Sequence, residues 1–123
     1  MNEIMDKSFL KELNTFFSEA AQATYAGGGG QVEPWRQGFK ELEYRTGDWY
    51  YRDSYTGFLR SWGQETIWYK DEPVWTQIYG GGMTHDNLRI DLAEQTFGFL
   101  KKAMSAGDKR SQFQPRGPKQ LVD

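Results

Sequence analysis

Hydrophobic positions near the start of the chain recur every three or four residues. Over residues 8–25 this spacing places the apolar side chains on one side of a helix. Ser8 or Asp6 can cap the start of the helix, and the glycines at 27–30 end it, because glycine adopts the left-handed backbone that closes helices. The pattern predicts an amphipathic helix over about 8–25 and a flexible connection over 27–38. The apolar positions are Phe9, Leu10, Leu13, Phe16, Phe17, Ala20 and Ala21.

From residue 39 onward the spacing of the apolar positions changes to two. Polar and apolar residues alternate on both sides of a Thr46-Gly47-Asp48 turn, which predicts two strands of a hairpin. Further strands are predicted over 64–69 and 74–79, separated by the turn-forming segment 70–73. These four or five short strands, over about 39–80, form an antiparallel meander, because the connections are too short for the helical crossovers of a parallel sheet.

The spacing of three and four returns near the end of the chain. Asp91 with Glu94 three residues later resembles a helix-initiating cap, and Gly107 can end the helix. We therefore expect a second helix over about 91–106 and a polar tail over 108–123. Two amphipathic helices need an apolar surface. The sequence thus predicts one α+β domain over 1–123, with an N-terminal and a C-terminal helix packed on one face of a four- to five-stranded antiparallel meander.

Composition narrows the classes of site that the chain can contain. Its 123 residues include no cysteine and a single histidine, His85, so thiol nucleophiles and sites that need two imidazoles are excluded. We expect neither a metal nor a cofactor. A net charge of -2 makes a nucleic-acid partner unexpected, and a mean hydropathy of -0.81 argues against a membrane protein. The acidic start of the sequence is unlike a secretory leader, so we expect a cytoplasmic protein.

Aromatic residues make up 16% of the chain, and 13 of them lie between residues 35 and 79. Two helices cover only one face of a small sheet, so rings on both faces of a strand leave some of them uncovered. One interpretation is a curved sheet with tyrosine hydroxyls at its rim. The other is a recess with aromatic walls, which is the usual form of a ligand site. The rings that would form these walls are Tyr44, Tyr51, Tyr55, Trp68, Trp75 and Tyr79.

Two acidic residues lie among these rings. Asp53 is flanked by Tyr51 and Tyr55 on the same face of its strand, and Glu65 begins another aromatic strand. If adjacent strands bring the two carboxylates together, one of them has a raised pKa, as acid/base catalysis requires. Alternatively, both accept hydrogen bonds from neighbouring side chains and fix the sheet, since structural networks perturb carboxylates at least as often as catalysis does.

A distinctive order of short motifs runs from about residue 9 to residue 118. The motifs are Thr24-Tyr25-Ala26-Gly27, Leu42-Glu43-Tyr44, Gly47-Asp48-Trp49-Tyr50-Tyr51, Asp53-Ser54-Tyr55, Gly63-Gln64-Glu65, Trp68-Tyr69, Pro73-Val74-Trp75, Tyr79-Gly80 and Arg116-Gly117-Pro118. Together they resemble an uncharacterised bacterial domain-of-unknown-function family, found alone or behind the helix-turn-helix of XRE-like transcriptional regulators. The resemblance implies the stand-alone form here and no substrate. By analogy with sensor domains, it favours ligand or partner binding.

These observations favour a non-enzymatic, sensor-like module that binds a small ligand or a partner in an aromatic recess on the sheet. Asp53 and Glu65 would anchor the polar part of the ligand, and Arg116 would act as a lid or a counter-charge. A second hypothesis is a hydrolase in which Asp53 and Glu65 form an acid/base pair within roughly 10 Å across a cleft. A third is a domain that forms a homodimer or docks to a protein partner through exposed rings.

Overall fold

The structure is a computed structural model that describes residues 6–24, 29–83 and 90–105. Five strands form one antiparallel sheet in the order β1-β2-β3-β4-β5. One helix precedes them in the chain and another follows, so the predicted α+β fold with an antiparallel meander is confirmed. The elements are α1 (Lys7–Ala23), β1 (Gln31–Val32), β2 (Lys40–Thr46), β3 (Trp49–Gly57), β4 (Arg60–Tyr69), β5 (Glu72–Gly82) and α2 (Ile90–Ser105).

Short turns fix the register of the meander. In the turn between β2 and β3, Gly47 has a φ of 58°, a conformation that costs glycine little. Lys70 and Asp71 join β4 to β5 and both have positive φ, as a primed hairpin turn requires. The resulting register places Asp53 of β3 directly opposite Glu65 of β4. Residues of alternate parity on all four long strands therefore share one face with these two acids.

The core lies between α1 and this face of the sheet. Asp6 caps the start of α1, and its Oδ1 accepts a hydrogen bond from the backbone N–H of Phe9 at 2.9 Å. The apolar side of α1 then contacts rings on four strands, with Phe16 stacked on Trp49 and Phe17 packed against Trp75. Most aromatic rings on the helix-facing side of the sheet therefore pack against α1. The buried core cluster consists of Leu13, Phe16, Phe17, Ala20, Tyr51 and Ile67.

One strand was not predicted. We expected a flexible connection over 27–38, but Gln31 and Val32 form β1 and pair with Leu42 and Glu41 of β2. A strand of two residues is too short to show an alternating pattern in sequence. The predicted tail over 108–123 lies outside the described residues, and the extent of the single domain stays a prediction. Neither α1 nor α2, the helices of the described ranges, combines the length and the apolar character needed to cross a membrane.

The face of the sheet turned away from α1 is covered only in part. Trp62 and Ile78 leave 65% and 73% of their surface exposed there. At β2 and β3 the same face is polar and buried. Arg52 donates a hydrogen bond from Nε to Oε1 of Glu41, and its guanidinium lies 3.6 Å from the ring centroid of Trp35. This Arg52–Glu41 pair therefore lies on the face of the sheet that is turned away from α1.

Candidate functional site

A recess of about 340 Å³ lies between the sheet and the two helices. Its volume is within the range of roughly 300 to 1,000 Å³ that is typical of small-molecule sites. The floor is formed by helix-facing residues of β3, β4 and β5, and α1 contributes Phe17 at one side. The apolar residues of the remaining wall are Phe58, Phe97 and Leu100. The recess thus combines an apolar wall with a floor that contains both predicted acids.

The two acids are direct neighbours across the β3–β4 ladder. Asp53 and Glu65 are register partners, and both face the helices. In such a pair the Cβ atoms lie about 5 Å apart, so the two carboxyl groups occupy one small volume. Asp53 leaves only 2% of its surface exposed, and Glu65 is half-buried. A solvent shell of the kind that normally stabilises carboxylates is therefore largely missing around this pair.

Uncharged donors hold both carboxyl groups in place. The hydroxyl of Tyr79 donates to Oδ1 of Asp53 at 2.7 Å. Glu65 accepts at both oxygens, from the hydroxyl of Tyr51 at 2.5 Å and from Nε2 of Gln77 at 2.8 Å. Among the hydrogen bonds that the described part of the chain makes to these carboxyls, we find phenols, an amide and a backbone N–H, that of Ser54. In the part of the chain that the structure describes, the pair is thus oriented without a neutralising cation at hydrogen-bond distance.

Burial and mutual repulsion change the titration of the pair. Burial raises the pKa of Asp53 to about 7, and the negative charge of Glu65 adds to this effect, against the hydrogen bond from Tyr79. Burial also raises the pKa of Glu65, although the hydrogen bonds from Tyr51 and Gln77 oppose the shift. Near neutral pH, Asp53 is therefore protonated about half of the time. The site exchanges a proton in the physiological range.

The two phenols that contact the pair stay protonated. Burial raises the pKa of Tyr51 well above its usual range, and the charges of Glu65 and Asp53 raise it further. Burial likewise raises the pKa of Tyr79, with Asp53 as the next cause. Both hydroxyls consequently act as hydrogen-bond donors to the carboxyls over the whole physiological pH range.

Gly63 makes the contact between Tyr79 and Asp53 possible. This glycine lies on β4 between Tyr55 of β3 and Tyr79 of β5 in the ladder. A Cβ atom at position 63 would lie 2.3 Å from the hydroxyl oxygen of Tyr79 and 2.8 Å from Cβ of Tyr55. The ring of Tyr79 therefore crosses β4 directly over the glycine to reach Asp53. Any larger residue at position 63 would block this path.

The structure brings some of the predicted site residues together and separates others. Asp53, Tyr55, Glu65 and Tyr79 line the recess. Tyr51 is fully buried beneath the recess, and its hydroxyl donates a hydrogen bond to Glu65. The recess lies on the face covered by the helices, whereas we had inferred surplus rings on the uncovered face. The reason is that the two helices leave a gap between them over the β3–β5 end of the sheet.

Three predicted rings lie elsewhere. Tyr44 packs against Phe16, and Trp75 packs against Phe17, so both belong to the core under α1. Trp68 pairs with Tyr50 on the opposite face of the sheet, because its position in β4 has the other parity. The predicted lid residue, Arg116, lies outside the described residues.

Several residues of the recess were missed by the sequence reasoning. Gln77 lies next to Glu65 because of the β4–β5 register, which is a property of the fold and not a signal in the sequence. Phe97 and Leu100 lie three residues apart on α2, and this spacing was the signal for a shared surface. Nothing in the sequence indicated that this surface would line a cavity rather than fill the core. The other missed residues are Phe17, Lys40, Gly57, Phe58, Ser61 and Lys101.

Comparison with known proteins yields a family and no closer relative. No curated protein and no solved structure matches the chain. A family described as "Domain of unknown function (DUF5680)" matches residues 53–122, more than half of the sequence. The matched segment begins at Asp53 and contains β4, β5 and α2, and therefore both acids and most of the recess wall. The chain belongs to the DUF5680 family of domains of unknown function.

Proposed function

We propose that this domain is a non-enzymatic, sensor-like module that binds a small organic molecule in the recess. The observation that carries the proposal is the combination of a cavity of about 340 Å³, an apolar wall, and a floor on which the buried carboxyl of Asp53 lies beside the half-buried carboxyl of Glu65. Ligand sites typically combine a mainly apolar lining with a few convergent polar groups of perturbed pKa. We also propose a cytoplasmic, bacterial setting for this stand-alone form, and the sensor role follows by analogy with sensor domains attached to DNA-binding modules.

The energetic cost of the floor supports a binding role. An apolar pair at positions 53 and 65 would stabilise the sheet more than two facing carboxyls, because burial disfavours the ionised forms. Sites where a fold departs from its most stable arrangement are commonly functional. Since the Glu65 carboxylate is already held at both oxygens, it presents a fixed charge to the recess. A preorganised charge of this kind favours binding, because little side-chain entropy is lost.

A thermal-shift screen with a metabolite library tests the proposal. Each compound that raises the melting temperature is measured again with Asp53→Asn, which keeps the shape of the floor but removes a charge. Asp71→Asn is the matched control, since this residue lies exposed in the turn between β4 and β5. We expect the response to be lost or strongly weakened in Asp53→Asn and kept in Asp71→Asn. A library without a stabilising compound, or hits indifferent to Asp53, would refute the proposal.

A hydrolase is the second candidate, because the two carboxyls face each other and the pKa of Asp53 is near neutral. General acid/base catalysis favours such a pKa. Against this role, both oxygens of Glu65 already accept hydrogen bonds, from Tyr51 and Gln77, so it is poorly placed to activate water. Turnover of chromogenic glycoside, ester or phosphate substrates that is abolished by Glu65→Gln, but not by Asp71→Asn, would favour the enzyme instead.

A further inference from the structure

We propose that the ligand of the recess is an amphipathic organic cation, a protonated amine attached to an apolar body. This inference rests on the proposed function and names the chemical class of its ligand. It is carried by the placement of a buried and a half-buried carboxyl, those of Asp53 and Glu65, which uncharged donors hold at the floor of a cavity whose wall is largely apolar.

Within residues 6–24, 29–83 and 90–105, no cation lies at hydrogen-bond distance of the two floor acids, and a ligand could supply one. A primary ammonium group has three N–H donors and no acceptor, so it complements two adjacent carboxyls. Hydrogen bonds between an ammonium and a carboxylate are about twice as strong as those between neutral groups. Because Asp53 and Glu65 lie on adjacent strands at directly opposed positions, one ammonium between them contacts both. An anionic ligand group would instead be repelled by the same pair.

The wall of the recess suits the rest of such a molecule. Phe58 and Phe97 lie with their ring centroids 6.0 Å apart, and Phe17 and Leu100 extend the apolar surface. Phe58 keeps 47% of its surface exposed, which leaves the recess open to solvent on that side. An alkyl or aryl group in this position removes apolar surface from water, and aromatic faces also attract a neighbouring cation.

Other charged and titratable groups face the recess and bear on its selectivity. β2 contributes Lys40 and α2 contributes Lys101, whereas α1 contributes only the uncharged Phe17. Both lysines are exposed, so water and salt screen their charges. The carboxyls of Asp53 and Glu65 are less accessible to water, so their attraction for a bound cation is screened less. The phenols from β3 and β5, those of Tyr51, Tyr55 and Tyr79, all have raised pKa values through burial and remain neutral.

Proton exchange provides a signature that an ordinary apolar pocket would not show. A cation that binds beside Asp53 favours the ionised carboxyl and displaces its proton. An amine that stays protonated from pH 6 to pH 8 should therefore bind about tenfold more tightly at pH 8, since the pKa of Asp53 is about 7. The opposite trend is expected for a ligand that accepts a hydrogen bond from the protonated carboxyl.

Three probes with the same apolar body separate the ligand classes. Phenethylamine is cationic, phenethyl alcohol is neutral and hydrocinnamate is anionic. Each is titrated into the full chain at pH 6, 7 and 8, with NMR shifts and calorimetry as readouts. We expect phenethylamine to bind at least tenfold more tightly than the other two. Asp53→Asn should weaken its binding about tenfold at pH 8 and remove the pH dependence, whereas Asp71→Asn should leave both unchanged.

The outcomes distinguish this inference from the function on which it rests. If the alcohol or the acid binds in the recess as tightly as the amine, the cation class is wrong and ligand binding by the recess stands. Amine binding that persists in both Asp53→Asn and Glu65→Gln lies elsewhere and also overturns the inference. If none of the three probes binds, the cation class is rejected, while the wider metabolite screen decides on the function itself. Glu65→Gln serves as the second variant if Asp53→Asn fails to fold.

Discussion

Replacement of Asp53 by asparagine should stabilise the fold, and the gain should grow with pH. The substitution removes the charge and keeps an oxygen that can accept the hydrogen bond from Tyr79. In the folded chain the pKa of Asp53 rises from its ordinary value of 3.8 to about 7, so the native state binds this proton more tightly than the unfolded state. The ionised carboxyl therefore destabilises the fold above pH 7, and the cost disappears as the pH falls toward 3.8.

The size of the effect follows from the two pKa values. At 1.36 kcal/mol per pH unit, the ionised carboxyl lowers the free energy of unfolding by about 4 kcal/mol at pH 8 and by less than about 2 kcal/mol at pH 5. The gain in the free energy of unfolding of Asp53→Asn over the wild type should therefore be about 2 to 3 kcal/mol larger at pH 8 than at pH 5. A constant packing penalty of the new amide cancels in this difference, because it is the same at both pH values.

Urea denaturation followed by tryptophan fluorescence measures this difference at pH 5, 6, 7 and 8. Glu41→Gln is the control, since Glu41 is a similarly buried carboxyl on the other face of the sheet. There burial alone would raise the pKa, but hydrogen bonds from Arg52 and Ser54 outweigh it and lower the pKa below 4.5. Glu41→Gln should thus lose nearly the same stability at pH 5, 6, 7 and 8, because the loss shrinks only below pH 4.5. A gain for Asp53→Asn that is equal at pH 5 and pH 8 would refute the reasoning.

Two further substitutions test the parts of the sheet that hold these acids. Gly63→Ala should displace the ring of Tyr79 and remove its hydrogen bond to Asp53. We expect the free energy of unfolding at pH 8, measured by urea titration, to fall by about 1 to 2 kcal/mol. Tyr79→Phe, which removes the same hydrogen bond, should cause a loss of the same size. A Gly63→Ala protein as stable as the wild type would show that Tyr79 does not depend on the glycine. Arg52→Ala should leave Glu41 buried without its cation and cost about 3 to 5 kcal/mol by the same assay. A loss under about 1 kcal/mol would mean that water reaches Glu41.

The fold could be predicted from the sequence because its helices and long strands each carry a strong local pattern. Spacings of three and four predicted α1 and α2 to within about two residues at each end. The β2–β3 hairpin followed from alternation around a turn with Gly47, whose positive φ suits that position. The exception was β1, whose two residues pair with β2 without a periodic signal of their own. Local patterns thus predicted the helices and the long strands, whereas the short strand β1 forms only through its pairing with β2.

The site was less accessible to sequence reasoning, because it depends on register. Asp53 and Glu65 could be singled out among the rings, but a shift of one residue in the β3–β4 hairpin would have turned Glu65 to the opposite face. Trp68 shows the same dependence on register, because we predicted it in the recess and it lies on the opposite face of the sheet. The gap between α1 and α2 follows from the packing of distant segments, for which a single sequence carries no pattern.

The connection between β3 and β4 links the register to the site. It has no Asn-Gly or Asp-Gly signal and consists of Phe58 and Leu59, entered through Gly57 with a φ of 97°. A Cβ on Gly57 would lie 2.2 Å from the carbonyl oxygen of Arg60, so glycine allows the chain to reverse this tightly. Because Phe58 of this connection also forms part of the recess wall, the residues that bring the two acids opposite each other enclose the space beside them as well. The pairing of the two acids and the part of the apolar wall formed by Phe58 are therefore consequences of one hairpin.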